Sequence, residues 1–226
     1  MAEELFDIVD ENGNPTGETV SRSEAHAKGI RHRTAHIWVI RDNEGKKEVL
    51  LQKRALNKDS FPGKYDTSSA GHIQAGDEPL ESALRELSEE LGIEALAEQL
   101  HFVGTFFIGF EKEFHGKMFK DSEIAFVYVY EENVDISKLL IQKEELESVE
   151  WFDLEEVYKA CLPPRDDRFC VPMGGLEMIR KYAAESDMKV YLINGPMGVG
   201  KTDTGKCIAE KSPGMVTYQN QISMHS

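Results

Sequence analysis

Residues 71–93 read GHIQAGDEPLESALRELSEELGI, and the reading of this stretch decides the fold. Asp77 is placed to cap a helix, and Pro79 falls in its first turn, where a missing N–H removes nothing. Leu80, Ala83, Leu84, Leu87 and Leu91 recur at helical spacing and make one apolar stripe. Gly92 stands where a left-handed residue ends a helix. The spacing predicts a helix of roughly three to four turns. Glu86, Glu89 and Glu90 lie beside the stripe within an arc of roughly 100°. Three carboxylates on one flank repel each other at neutral pH, although many acidic helix faces are simply solvated. A hard divalent cation that takes oxygen ligands, such as Mg²⁺, relieves that repulsion.

The stretch resembles the Nudix box, G-x5-E-x7-R-E-U-x-E-E-x-G-U with U aliphatic. Gly71, Arg85, Glu86, Leu87, Glu89, Glu90, Gly92 and Ile93 fall on it, and Asp77 stands where the family has glutamate. The likeness covers about residues 1–185. It implies an α/β fold, the Nudix α/β/α sandwich around a mixed sheet, in a domain spanning residues 1–187. It also implies a small-molecule diphosphate substrate, Mg²⁺ (with Mn²⁺ as an alternative) and, as often in the family, a homodimer.

Composition narrows the partners. The chain carries 26 basic and 41 acidic residues, a net charge of −15, which repels a nucleic-acid backbone. Cys161, Cys170 and Cys207 are scattered, without disulfide or zinc spacing, which fits a reducing cytoplasm. No signal-peptide pattern opens the sequence and no apolar run reaches membrane length.

Along the chain, residues 5–9 read as a strand before a turn at 11–14, and residues 23–28 as a helical turn. Strands follow at Ala35–Ile40 and Val49–Arg54, joined by Asn43-Glu44-Gly45. His26, His32 and His36 invite a metal reading, although a lone histidine near a strand is more often packed. The loop from Arg54 to Tyr65 places Arg54, Lys58 and Lys64 just before the carboxylate helix, where cations clamp a diphosphate. Its R-x3-K…PG pattern is similar to the diphosphate loop of the isopentenyl-diphosphate-isomerase-like Nudix subgroup, as is the opening hairpin. Residues 72–75 are expected as a short strand and 101–110 as a strand with a bend at its glycines. Residues 111–120 then read as a polar turn, 123–130 and 148–152 as strands, and 153–160 and 176–186 as helices, the last after a break at Gly174-Gly175. Asp121 and Glu123 alternate and so share one face. In the isomerase subgroup an acidic pair there ligates metal.

Chemistry separates hydrolase from isomerase. Isomerase needs a cysteine beside the metal-binding histidine of its C-G/S-H segment. Here that segment is Ala70-Gly71-His72, and alanine neither gives nor takes a proton. The intact box points to hydrolysis of a phosphoanhydride in a nucleoside diphosphate linked to another group, or a related diphosphate. In that reading Glu86, Glu89, Glu90, Asp121 and His72 hold metal, Arg85 fixes a box glutamate, and Glu89 or Glu123 takes the proton from water. Arg54, Lys58 and Lys64 bind the diphosphate. The alternatives are isomerase-like activity and a non-catalytic nucleotide sensor.

Residues 188–194 form a β-like run that leads into GPMGVGKT at 195–202, the GxxxxGK[ST] pattern, with a helical stretch after it. This resembles the first strand and phosphate loop of a P-loop kinase-like NTPase. Gly198, Gly200, Lys201 and Thr202 would cradle phosphate. Only 226 − 202 = 24 residues follow Thr202, so residues 188–226 are expected to be a truncated fragment. An ATP-dependent small-molecule kinase would need the rest of that domain.

Overall fold

The computed structural model describes residues 3–58 and 60–186. The expected boundary at 187/188, Cys207 and the P-loop residues Gly198, Gly200, Lys201 and Thr202 lie outside them.

The fold grows from β3 (His32–Asn43). Residues 32–40 are all buried, as expected of a strand covered on both faces. Ala35, Ile37 and Val39 face one way and join Ala83, Leu87 and Leu91 of the carboxylate helix α2 (Pro79–Leu91). Trp38 and Ile40 face the other way, into α3 (Leu154–Cys161) and α4 (Met173–Ser186). Period-two alternation on one strand thus builds both cores of an α/β/α sandwich.

β3 pairs parallel with β8 (Lys117–Tyr130) and antiparallel with β4 (Lys46–Arg54) and β6 (Ser69–His72), so the sheet is mixed. β3 forks: Thr34–Ile37 pair with β6, while Ile40–Asn43 pair with β4. β5 (Tyr65–Asp66) and β9 (Leu146–Asp153) extend β4, and β7 (Leu100–Phe114) is the far edge beside β8. A hairpin of β1 (Leu5–Val9) and β2 (Pro15–Ser21), followed by α1 (Arg22–Lys28), packs Phe6, Val20 and Ala25 into a third small cluster. Among the described residues no helix is long and apolar enough to cross a membrane.

Several expectations are corrected. The cap of α2 is Glu78, with no side-chain cap bond, and the Asp77 carbonyl instead accepts from Arg33 at 3.1 Å. The strand expected at 72–75 lies at Ser69–His72, because β3 selects the register that puts Gly71 opposite Ala35. Glu111–Phe114 and Lys117–Lys120 continue the β7–β8 hairpin, leaving only His115-Gly116 as the turn. The expected bend in β7 is present, as a register shift at Gly104. Gly174 and Gly175 lie inside α4. Added Cβ atoms there would sit 2.5 Å from Phe106 and 2.7 Å from Trp38, so these glycines let the helix approach the sheet.

Candidate active site

The fork in β3 brings the end of α2 beside the backbone of β6, and the box glutamates lie there. An added Cβ on Gly71 would sit 2.1 Å from the Glu86 carboxyl carbon, so that carboxylate rests on bare backbone. Any side chain at 71 would displace it. Arg85 holds Glu86 from outside, 3.2 Å away, and donates to the His72 carbonyl at 3.4 Å. Its other nitrogen lies 3.9 Å from Glu89. Glu90 accepts from the Ala70 N–H at 3.2 Å. Burial pushes Glu86 up to about 7 and Glu90 up to about 8; Arg85 opposes the first, and Ser69 and then the Ala70 N–H oppose the second. Glu89 is the open member, its side chain 55 % exposed.

A second cluster assembles from four segments. α1 supplies His26, β3 supplies His32, β6 supplies His72, and β8 supplies Asp121 and Glu123. Register explains the meeting. His32 pairs with Glu123 and Thr34 with His72, so these side chains share one face. The His26 and His72 Nε2 atoms are 3.2 Å apart. Glu123 lies 3.6 Å from His32 and 3.5 Å from His72, and accepts from the Thr34 hydroxyl at 3.2 Å. Asp121 lies 3.7 Å from His26. Phe6 stacks on His32 and His72, with ring centroids 4.9 and 4.6 Å away.

The polar atoms here are not all satisfied. His32 Nδ1 donates to the Ile30 carbonyl at 2.8 Å, which orients the ring so that Nε2 faces the cluster. That Nε2, His26 Nδ1 and Asp121 Oδ1 are buried without a hydrogen-bond partner. Burial, with His72 and His32 nearby, lowers His26 to about 3, so it is neutral. Burial also lowers His72. Burial and the adjacent Glu123 push Asp121 up to about 9. Burial alone would raise Glu123, but contacts from His32 and His72 outweigh it and hold that carboxylate well below its ordinary range.

The sequence-derived set is thus partly gathered. Glu86, Glu90 and Arg85 line the β6 edge, and His72 links them to Asp121 and Glu123. His26 and His32, weighed singly in sequence, become members of one cluster. Nothing in local spacing joins residues 26, 32 and 72, since strand register does so. His36 stays apart, buried with its ring edge-on to Phe106 at 5.9 Å.

The three cations reach carboxylates. Arg54 donates to Asp66 at 3.1 Å and to the Ser60 carbonyl at 3.0 Å. Lys58 pairs with Glu145 and Lys64 with Asp167. To clamp a diphosphate they must exchange these partners for it. Glu145, overlooked in sequence, belongs to a loop tied to α2 by the Gln142 N–H on the Glu90 carbonyl at 2.9 Å.

Comparison with known proteins agrees with this geometry. The NUDIX domain model matches residues 30–170. An uncharacterized Nudix hydrolase of Clostridium acetobutylicum is 39 % identical over 158 residues, 70 % of this chain and 73 % of that one. Nudix hydrolase 3 of Arabidopsis thaliana is 36 % identical over 172 residues, 75 % of this chain but 22 % of that one. Among solved structures, one from Deinococcus radiodurans superposes with a TM-score of 0.57 at 17 % identity, covering 79 % of this chain and 99 % of that one, a likeness of fold alone. The box on α2, the forked mixed sheet and these relatives together place the chain in the Nudix hydrolase family.

Proposed function

We propose that the protein is a metal-dependent hydrolase of a small-molecule diphosphate, cleaving the phosphoanhydride of a nucleoside diphosphate linked to another group or a related compound. The observation that supports this most is the convergence of two donor sets around β6: Glu86 and Glu90 at its edge, and the three histidines with Asp121 and Glu123 on its face. A divalent ion fits these residues on structural grounds. His26 Nδ1, His32 Nε2 and Asp121 Oδ1 are buried without a hydrogen-bond partner, and the ligand atoms of His26, His32 and His72, like those of His32, Asp121 and Glu123, lie within 4.8 Å of one another. Ligand chemistry assigns Mg²⁺ to the oxygen-only set of Glu86, Glu89 and Glu90. A borderline ion such as Mn²⁺ suits His26, His32, His72, Asp121 and Glu123. Bound there, such ions supply Lewis-acid stabilisation of phosphate charge and a more acidic water.

The chain's own residues do the rest. Arg85 fixes the Glu86 carboxylate and the Ala70 N–H orients Glu90. Glu89 is the general base, because its carboxylate is open to solvent, whereas Glu123 is engaged by Thr34, His32 and His72. Arg54, Lys58 and Lys64 offset charge on the diphosphate after leaving their carboxylate partners. Solubility in the cytoplasm and dimer formation are part of the same proposal.

The opening hairpin, the cation loop and the histidine cluster support the reading of an isomerase-like scaffold. Ala70 argues against isomerase chemistry, because a carbon-protonating site needs a proton donor there. A separate proposal rests on sequence alone: residues 188–226 form a P-loop fragment beyond the domain at 1–187, and bind nucleotide phosphate weakly through Gly198, Gly200, Lys201 and Thr202. Titration of ATP into the full chain and into a chain ending at Asp187 tests it, and equal heats refute it.

The main reading is tested by a phosphate-release screen with Mg²⁺ or Mn²⁺ over nucleoside diphosphate sugars, dinucleotides, nucleoside triphosphates and prenyl diphosphates. Glu89→Gln should lose about 10²–10⁴-fold in kcat with an unchanged circular dichroism spectrum. Normal turnover by that variant refutes the mechanism.

A further inference from the structure

Two imidazole planes in the histidine cluster are set in different ways. An imidazole turns about a broad, soft torsion, so its plane has to be imposed by its surroundings. His32 is held by a hydrogen bond, its Nδ1 donating to the Ile30 carbonyl at 2.8 Å. His72 has no such anchor. Its Nε2 lies against His26 and Glu123, and among the described residues no group bonds its Nδ1. Histidines that bind metal almost always have the far nitrogen fixed by a carbonyl, a carboxylate or water.

His72 is nonetheless aligned. The Nε2 atoms of His32 and His72 lie 3.6 and 3.5 Å from the same Glu123 oxygen, and the two rings are 26° from parallel. Phe6 touches both. Its ring is 16° from the His32 plane and 10° from the His72 plane, with centroids 4.9 and 4.6 Å away. The closer and flatter contact is made with the histidine that lacks the hydrogen bond.

Phe6 is itself fixed from two sides. It is fully buried, in a cluster with Val20 and Ala25. The next residue, Asp7, alternates to the other side of β1. Its carboxylate accepts from Arg33, which follows His32, at 2.9 Å and from the Gly76 N–H at 3.0 Å. The Leu5 carbonyl accepts from the Ala75 N–H, three residues past His72, at 2.8 Å. β1 is therefore tied to both segments whose imidazoles Phe6 covers.

We propose that Phe6 is a positioning residue for the ion of the histidine set. Its ring does for His72 what the Ile30 carbonyl does for His32, and so both Nε2 atoms converge. The inference rests on the metal-dependent reading and gives a role to a residue that this reading leaves unused. A small apolar cluster needs only volume, which leucine supplies. Alignment with two imidazoles needs a flat face.

The test uses the full chain with Mn²⁺ as the probe. Phe6→Leu and Phe6→Met each fill the space without a flat face, and Val20→Ala thins the same cluster from β2. In wild type, electron paramagnetic resonance of Mn²⁺ at this set should show imidazole nitrogen couplings. Both Phe6 variants should weaken its Kd about tenfold, the scale of losing a support behind a metal-binding histidine. Val20→Ala should lower Tm and leave the Kd unchanged. Nitrogen magnetic resonance in chelator adds a readout that stability does not move. In the Phe6 variants the two His72 ring nitrogens should average toward each other, while His32, held by Ile30, keeps its wild-type pattern. An unchanged Kd in either Phe6 variant, an equal loss in Val20→Ala, or a wild-type His72 spectrum in the Phe6 variants would overturn the proposal. If Mn²⁺ on wild type shows no nitrogen coupling, the metal-dependent reading of this set fails on its own, and the ring nitrogens decide the role of Phe6. Averaging confined to His72 supports it, and averaging in neither ring or in both overturns it.

Discussion

The two donor sets around β6 are built in opposite ways. The box set comes from one helix, offers only oxygen, and holds Glu86 and Glu90 with carboxylates pushed up by burial. The histidine set comes from α1, β3, β6 and β8, mixes nitrogen with oxygen, and holds Glu123 pulled down by its neighbours. One helix can place carboxylates side by side only at the cost of their mutual repulsion. Four segments can bring His32 and His72 against Glu123, and those contacts keep that acid ionised despite its burial. On the proposed metal-dependent reading, a cation would let the first set ionise fully, while the second already contains an ionised carboxylate.

The sharpest way to break the comparison is at Gly71. Gly71→Ala drives a methyl into the Glu86 carboxylate and should cost about 10³-fold in kcat/KM, about 4 kcal/mol, with the histidine set still binding Mn²⁺ by electron paramagnetic resonance. Loss of both would mean that the sets are one site. His32→Leu should do the reverse. It should remove one Mn²⁺ per chain by elemental analysis and reduce activity about 10–100-fold, a scale typical of damage to metal-site residues.

A smaller effect separates the sets by pH. Glu90 has a folded-state value of about 8, above its ordinary 4.5, so the folded chain keeps a proton that the unfolded chain releases. Its contribution to stability is present below pH 4.5 and lost as pH rises through 8. Without added metal, melting should show a loss of at most about 1.4 kcal/mol per pH unit from this group across that window. Mg²⁺ should restore the lost stability at the alkaline end. Glu123 has the opposite sign: its contribution is present above 4.5 and lost as pH falls through its lowered value. A melting temperature flat from pH 5 to 9 in chelator would contradict the box half. The smallest expected change is Arg85→Lys, which keeps the charge but loses the fork that spans Glu86 and the His72 carbonyl. About a tenfold loss of kcat, with unchanged Mn²⁺ binding, would confine Arg85 to the box side.

The sequence carried more of one set than of the other for the same reason. Residues 71–93 lie on one short stretch, so helical periodicity alone put Leu87 inward and Glu86, Glu89 and Glu90 together, and Gly92 ended the helix as expected, at φ +67. The strands of β3, β4 and β9 were legible from their apolar runs. Boundaries were less so: β6 shifted because pairing with β3, absent from local pattern, sets its ends. Gly174 and Gly175 read as a break because the sequence does not say that Phe106 and Trp38 press on them.

What the sequence by itself determined is therefore local: the amphipathic helix with its carboxylate flank, the shared face of Asp121 and Glu123, and the alanine where an isomerase keeps its cysteine. Only the tertiary structure decided that His26, His32 and His72 meet, that Lys58 faces Glu145, and that Phe6 lies on His32 and His72. Those contacts join residues far apart in the chain. They are fixed by strand register and by a parallel β3–β8 pairing, which no short-range spacing encodes.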